Sequence, residues 1–253
     1  MHQFKDKLFI IIPCYNEQDN ISNLIEGYSL IIAEFENGKI LLINDGSTDK
    51  TEQVIKILIK DNPQFELINK PNSGHGSTCL YGYKIAIEKG ADYIFQVDSD
   101  NQNKCIDFWK LWEQKSKADF VFGNRKPRND GFFRKIVTFV LNFLITIIYR
   151  VNIKDPNVPF RLMSAGILAK YIKIIPSDFF ITNTLISILL VVNNENIQWI
   201  DVEFNKRQKG KNSISVIPII KVSKKIYTEL IWLKRKIKMD KLLNGYMVKT
   251  CPE

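Results

Sequence analysis

Short apolar runs rich in β-branched and aromatic residues, each followed by a longer amphipathic stretch, recur through the first 120 residues of the chain. The runs are Leu8 to Ile12, Ile40 to Ile43, Phe65 to Ile68, Tyr93 to Val97 and Asp119 to Phe122, and helix-like segments lie at about 20–33, 51–60, 77–89 and 106–117. Such alternation predicts an α/β fold with a mostly parallel central sheet flanked by helices. Polar clusters stand directly after three runs: Pro13 to Glu17, Asn44 to Asp49, and Asp98-Ser99-Asp100. Ligands of open α/β sheets bind outside the carboxyl ends of the strands, so the three clusters are expected to meet in one crevice.

From residue 131 the pattern changes. Phe132 to Tyr149 is a strongly apolar stretch interrupted by Thr138, Asn142 and Thr146, which suits a core or interfacial helix better than a bilayer span. A turn-rich segment, Asp155 to Pro159, leads into Phe160-Arg161-Leu162-Met163, followed by a helix near 180–192 and a strand near 197–204. A basic loop from Lys206 to Ser213 precedes a long helix beyond Pro218. On that helix Ile219, Val222, Ile226, Leu230, Leu233 and Ile237 share one side, with lysines and arginines opposite. Packing against the domain and contact with an anionic membrane both satisfy this pattern.

Charge is distributed unevenly. The net +9 resides in residues 206–253, which hold 13 Lys/Arg against 3 Asp/Glu, whereas residues 1–205 hold 23 against 24. Nucleic acid, a membrane surface and a phosphorylated substrate are the partners this allows. Four scattered cysteines and two histidines disfavour a zinc cage or disulfide framework and fit a reducing cytoplasm. The first residues do not resemble a secretory signal, and no apolar run reaches 18 residues.

Asp98 and Asp100, two residues apart at a strand end with Gln102 on the same turn, offer hard oxygen ligands for Mg²⁺ or Mn²⁺. Asp49 and Glu52 are spaced like a capping box, which makes Asn44 to Asp49 a strand-to-helix turn and puts Asp45 where it could accept hydrogen bonds from a nucleobase or ribose. Neither Gly-x-Gly-x-x-Gly after the first strand nor a Gly-Lys-Ser/Thr loop is present, which demotes hydride transfer and ATP hydrolysis by the usual machinery. Gly74-His75-Gly76 precedes a helix and permits close approach of a ligand to the backbone. Arg125, Arg134, Arg161 and Arg207 lie outside the acidic half, near turns or helix ends, where guanidinium groups suit phosphate oxygens.

Taken in order, Ile12 to Glu17, Asn44 to Asp49, Asp98 to Gln102, Gly123-Asn124-Arg125, Asp155 to Met163 and the Arg-x-x-Gly loop at Arg207 resemble the family-2 glycosyltransferases. Within them the likeness is to polyprenyl-phosphate sugar transferases similar to dolichyl-phosphate mannose synthase. The resemblance runs from about Leu8 to Ser213 and implies a Rossmann-like GT-A fold, with residues 1–213 as the catalytic domain and 214–253 as a basic amphipathic tail at a membrane surface or interface. It also implies that Pro13, Tyr15, Glu17, Asp45 and Gly76 serve the nucleotide sugar, with Asp98 near ribose and metal. Asp100 and Gln102 would be metal ligands. Arg125 and Arg134 would face the acceptor phosphate, Arg207 the phosphates at the reaction centre, and Asp155 the transferred sugar. The family loop is commonly Arg-x-x-Gly-x-Ser; here Ser213 comes one residue later, after Lys211, and both are carried as phosphate-binding candidates.

The expected reaction is an inverting, metal-dependent transfer of a sugar from a nucleoside diphosphate sugar to a polyprenyl phosphate. Sugar-to-sugar transfer in surface polysaccharide synthesis is the alternative, and an inactive nucleotide-sugar binder is a further one. Nucleic-acid binding by the basic tail is the remote one, because the flanking Tyr227 and Trp232 accompany a continuous apolar face rather than a stacking groove. The expected location is cytoplasmic, peripheral at the cytoplasmic membrane face, with self-association left open.

Overall fold

Seven strands make one sheet in the computed structural model, which describes residues 3–126, 132–205 and 219–244. The strands are β1 (Leu8–Cys14), β2 (Lys39–Asp45), β3 (Phe65–Lys70), β4 (Tyr93–Gln96), β5 (Phe120–Lys126), β6 (Arg161–Ser164) and β7 (Ile197–Glu203), in the order β3-β2-β1-β4-β6-β5-β7. β1 pairs in parallel with β2 and β4, β2 with β3, and β5 with β7. Only β6 runs against its neighbours, between β4 and β5. Every residue of β1 is buried, as expected where helices cover both faces of a parallel sheet.

The covering helices are α1 (Ile21–Ile32), α2 (Thr51–Ile59), α3 (His75–Glu88), α4 (Phe108–Trp112), α5 (Phe132–Tyr149), α6 (Ala165–Ile172), α7 (Thr182–Val192) and α8 (Ile219–Asn244). α1 shows why such segments are helical: Ile21, Leu24, Ile25, Tyr28, Ile31 and Ile32 fall on one stripe and are all buried. Each such Ile or Leu, fully removed from water, contributes about 2 kcal/mol before entropy is counted.

Two expectations need correction, and two elements come in addition. The helix expected over 106–117 is a 3₁₀ turn at Cys105–Asp107 followed by the five residues of α4. The segment is held by its aromatics instead: Trp112 meets Phe35 edge-on at 4.8 Å, and Trp109 stacks on the same ring at 6.2 Å. No capping box forms at α2. Asp49 accepts from the Thr51 N–H and hydroxyl, while Glu52 turns away to Asn69 and Lys56. β6 and α6 were not anticipated, because four residues are too few to show a period and α6 follows without a loop.

α8 packs on the body. Ile226, Leu230 and Leu233 are buried, the Tyr149 hydroxyl of α5 donates to the Leu230 carbonyl at 2.6 Å, and Lys234 donates to the carbonyl of Ile148. Trp232 meets Phe179 edge-on at 5.0 Å, and the Glu229 carboxylate accepts the Phe180 and Ile181 N–H groups ahead of α7. Over its described residues the apolar face is therefore spent on the protein. Lys224, Lys225, Lys234, Arg235 and Lys238 face outward, while on α5 the outward residues include Phe139, Phe143 and Ile147.

Candidate active site

The three polar clusters meet at the carboxyl ends of β1, β2 and β4, stitched together by asparagines. Asn16 adopts the left-handed conformation that asparagine tolerates best among residues with a Cβ. Its Oδ1 accepts the Thr48 N–H at 2.8 Å, and its N–H donates to the Ser47 hydroxyl at 3.0 Å, which joins the first cluster to the second. Asn101, also left-handed, donates from Nδ2 to the Asn20 carbonyl at 2.8 Å and brings the third cluster to the start of α1.

Within the first cluster the side chains divide by depth. Pro13 is buried in β1 opposite Ile43, whereas Tyr15 is 39% exposed on the rim. Glu17 is buried; its carboxylate accepts from Asn20 Nδ2 at 2.6 Å and its N–H donates to Thr51 Oγ1 at 2.8 Å. Tyr15 is thus the accessible side chain of this cluster, while Pro13 and Glu17 shape the loop beneath it.

Asp45 departs from the sequence expectation. Its carboxylate accepts from the Lys70 ammonium, from the Ser73 N–H at 2.9 Å and from the Gly74 N–H at 3.0 Å. Burial opposes the charge, but Lys70 and the Ser73 N–H outweigh it and hold the carboxyl below its ordinary value. Most of the lone pairs that were expected to meet a base or ribose are engaged in fixing the 70–74 loop. Gly46, at φ +68°, completes that turn, where a Cβ would stand 2.8 Å from the Asn72 nitrogen. Lys70 escaped the sequence reading because its partnership depends on register: it lies directly opposite Asp45 in the β2–β3 pairing.

Gly76 is corrected too. It lies in the first turn of α3, and a Cβ there would fall 2.2 Å from the Phe180 carbonyl oxygen. The close approach it permits is to the protein's own backbone at 179–180. His75 beside it points Nε2 to within 3.5 Å of Asp98 Oδ1. Burial disfavours the charged imidazole, but Cys79, Asp98 and Asp100 outweigh burial and raise its pKa.

Asp98 and Asp100 follow β4 at the mouth of the crevice. Asp98 Oδ1 accepts from Gln96 Nε2 at 3.0 Å, and Asp100 Oδ1 accepts the Gln102 N–H at 3.2 Å, which closes the turn. Gln102 is buried and donates from Nε2 to the Asn205 carbonyl at 2.9 Å, so only its Oε1 remains as a ligand atom. The root of the basic loop is thereby fixed beside the carboxylates, with the Asn205 N–H returning to the Gln102 carbonyl at 2.8 Å. A cleft of about 370 Å³ lined by Asp19, Asn20, Asp100, Asn101 and Asn205 opens there. A larger one of about 690 Å³, beside Trp109 and Trp112, adjoins it at Cys105 and Ile106 but is lined by neither Asp98 nor Asp100.

The donor set tells which metal could fit. Among the described residues no group of three or more His, Cys, Asp or Glu side chains is arranged to hold a metal ion, so there is no closed protein cage. Two carboxylates and an amide on one turn, with positions left for water and phosphate, match what Mg²⁺ or Mn²⁺ accepts.

Arg125 and Asp155, expected to act on different parts of the substrate, are a pair. Arg125 Nε and Nη2 both reach Asp155 Oδ2, at 2.8 and 2.6 Å, with side chains only 11% and 7% exposed. The guanidinium also lies 4.8 Å from the Phe204 ring centre. Arg161, expected near turns where phosphate could reach it, is fully buried and donates to the carbonyls of Val158, Asn183 and Pro156. Arg134 lies in α5, with its side chain outside the described set, and Arg207, Lys211 and Ser213 lie outside the described residues.

Comparison with known proteins adds four findings. The Glycosyl transferase family 2 model matches residues 9–172. An undecaprenyl-phosphate 4-deoxy-4-formamido-L-arabinose transferase of Proteus mirabilis is 28% identical over 145 residues, which are 56% of this chain but only 44% of that relative. An uncharacterized protein of Methanocaldococcus jannaschii is 25% identical over 232 residues, 87% of this chain and 97% of its own length. Among solved structures, glucosyl-3-phosphoglycerate synthase from Mycobacterium tuberculosis, in complex with Mn²⁺, UDP-glucose and phosphoglyceric acid, superposes with a TM-score of 0.66 at 15% identity. That match covers 91% of this chain and 80% of that one.

Proposed function

The chain belongs to glycosyl transferase family 2 and has the GT-A fold, and from that premise we propose that it moves a sugar, with inversion, from a nucleoside diphosphate sugar to a polyprenyl phosphate. The observation that carries the donor half is the meeting of Tyr15, Asp98, Asp100 and Gln102 at the carboxyl ends of adjacent strands. Asp98, Asp100 and Gln102 Oε1 would hold Mg²⁺ or Mn²⁺, which supplies charge neutralisation to the departing diphosphate. Tyr15 offers its exposed ring to the nucleotide. Asp45, engaged by Lys70, supports the nucleotide pocket by holding the 70–74 loop.

The acceptor half rests on charge and on the undecaprenyl-phosphate transferase among the relatives. A lipid monophosphate, with a second pKa of about 6, is largely dianionic at neutral pH and needs little help from a base. Asp155, already anchored by Arg125, then serves to orient the transferred sugar, while Arg207, Lys211 and Ser213 are proposed to meet phosphate. Phe139, Phe143 and Ile147 on α5, with the outward lysines and arginine of α8, would rest on an anionic membrane face. A second copy of the chain would oppose cation to cation on that surface. Among the described residues no helix is long and apolar enough to cross a membrane.

The test supplies Mn²⁺ or Mg²⁺, a panel of nucleotide sugars, and either polyprenyl phosphate, a glycan or water, and measures nucleoside diphosphate release. Release dependent on the lipid phosphate is expected. Release dependent on the glycan alone would establish the polysaccharide reading instead, and Asp155 would then be the candidate base.

A further inference from the structure

Gln96 is a polar residue in a strand otherwise made of apolar side chains, fully buried, two positions before Asp98. A valine or leucine would fill such a position at no polar cost, whereas a buried amide must be supplied with partners. Those partners come from two other elements. Asn183 of α7, 1% exposed, donates from Nδ2 to Gln96 Oε1 at 2.9 Å. The Tyr83 hydroxyl of α3, fully buried, lies 3.1 Å from the same oxygen and 2.8 Å from Asn183 Oδ1.

This arrangement decides which way the amide faces. With Oε1 turned to the Asn183 donor, the NH₂ edge must face outward, and it donates to Asp98 Oδ1 at 3.0 Å. Asp98 Oδ2 is left without a hydrogen bond from the described residues, while Oδ1 takes the Gln96 hydrogen bond and is approached more loosely by His75 Nε2 at 3.5 Å. The network continues inward: Arg161 Nη1 donates to the Asn183 carbonyl at 3.2 Å and Nε to the Val158 carbonyl at 2.8 Å, and the Val158 N–H donates to the Asp155 carbonyl at 3.2 Å. Asp98 and Asp155 are thus tied through one buried polar core.

We propose that Gln96, locked by Asn183 and Tyr83, is a positioning residue that holds Asp98 in the orientation that binds the divalent metal. The proposal rests on the metal site described above and assigns its supporting shell. Outer partners that orient a ligand typically account for 10- to 100-fold of metal affinity.

The test reads Mn²⁺ binding by water proton relaxation enhancement, with UDP and GDP supplied in turn, on the full chain and on Gln96→Met, alongside thermal unfolding. Weakening of Mn²⁺ binding by about tenfold or more in a cooperatively folded variant is the expected result. Wild-type affinity in that variant would overturn the proposal and leave the metal site intact, because a merely structural glutamine would change unfolding alone. Absence of Mn²⁺ binding by the wild-type chain would instead overturn the metal-site reading, and this proposal with it. A second measurement needs no variant: the Gln96 side-chain amide resonance should shift on saturation with Mg²⁺, and an unmoved resonance in a Mg²⁺-bound protein would also overturn the assignment.

Discussion

Asp45 and Lys70 illustrate what a position can reveal without its partners. The sequence places Asp45 at a strand end near the crevice, but only the β2–β3 register shows that its charge is engaged by Lys70 and two backbone N–H groups. Asp45→Ala leaves the half-buried Lys70 ammonium only the Pro71 carbonyl and the Ser73 and Thr78 hydroxyls, and frees the Ser73 and Gly74 N–H groups, so a loss of about 1–3 kcal/mol is expected. The sign with pH follows from the lowered native pKa: between that value and the ordinary one the unfolded chain binds more protons, so stability rises with pH. Asp45's contribution is therefore complete above the ordinary carboxylate range and disappears as pH falls through the lowered value. Denaturant unfolding as a function of pH should show the wild-type to Asp45→Ala difference at its largest at pH 7 and shrinking steadily as the pH is lowered below the ordinary carboxylate range. Arg125 and Asp155 carry the same lesson, since sequence could propose a role for each but not that they touch. Arg125→Ala should cost about 3 kcal/mol by removing the guanidinium partner of a buried carboxylate, and Arg125→Ala with Asp155→Ala together should cost less than the sum of the singles.

Among elements, the parallel half of the sheet was legible because each strand is a continuous apolar run ending in polar residues. β6 was not, since four residues show no period and its reversed direction follows from pairing with β4 and β5 at once. α3 and the segment before α7 approach more closely than sequence could reveal. Gly76→Ala would drive a Cβ into the Phe180 carbonyl, so a loss of about 1–3 kcal/mol is expected, visible as a lowered melting temperature. The amphipathic pattern of α8 was read correctly as a pattern, yet it could not say what covered the apolar face. Glu229 answers this by receiving two N–H groups at the start of α7. Removing that carboxylate with Glu229→Ala should destabilise the docking by about 2 kcal/mol and speed amide exchange along 223–239; unchanged exchange there would mean that apolar packing alone holds the helix.

At the scale of the whole molecule, two halves of different character meet at one crevice. The nearly neutral body brings the acidic turn and the 13–17 and 44–49 loops together, and the cationic surplus belongs to residues 206–253, of which Lys224, Lys225, Arg235 and Lys238 face outward on α8. Motif order made the family and the crevice legible from the sequence. The support beneath the motifs, from Lys70 through Gln96 to Asn183, was not, because it is made by residues far apart in the chain with no spacing signature. If α5 and α8 rest on a membrane, Phe139→Ser with Phe143→Ser should weaken binding to anionic vesicles by about tenfold or more while leaving transfer to a short, water-soluble acceptor phosphate unchanged. The most direct test of the central claim compares metal-dependent sugar transfer to polyprenyl phosphate by the wild-type chain and by Asp100→Ala. A fall of at least about a hundredfold with the fold retained is predicted, and transfer by Asp100→Ala at the wild-type rate would contradict it.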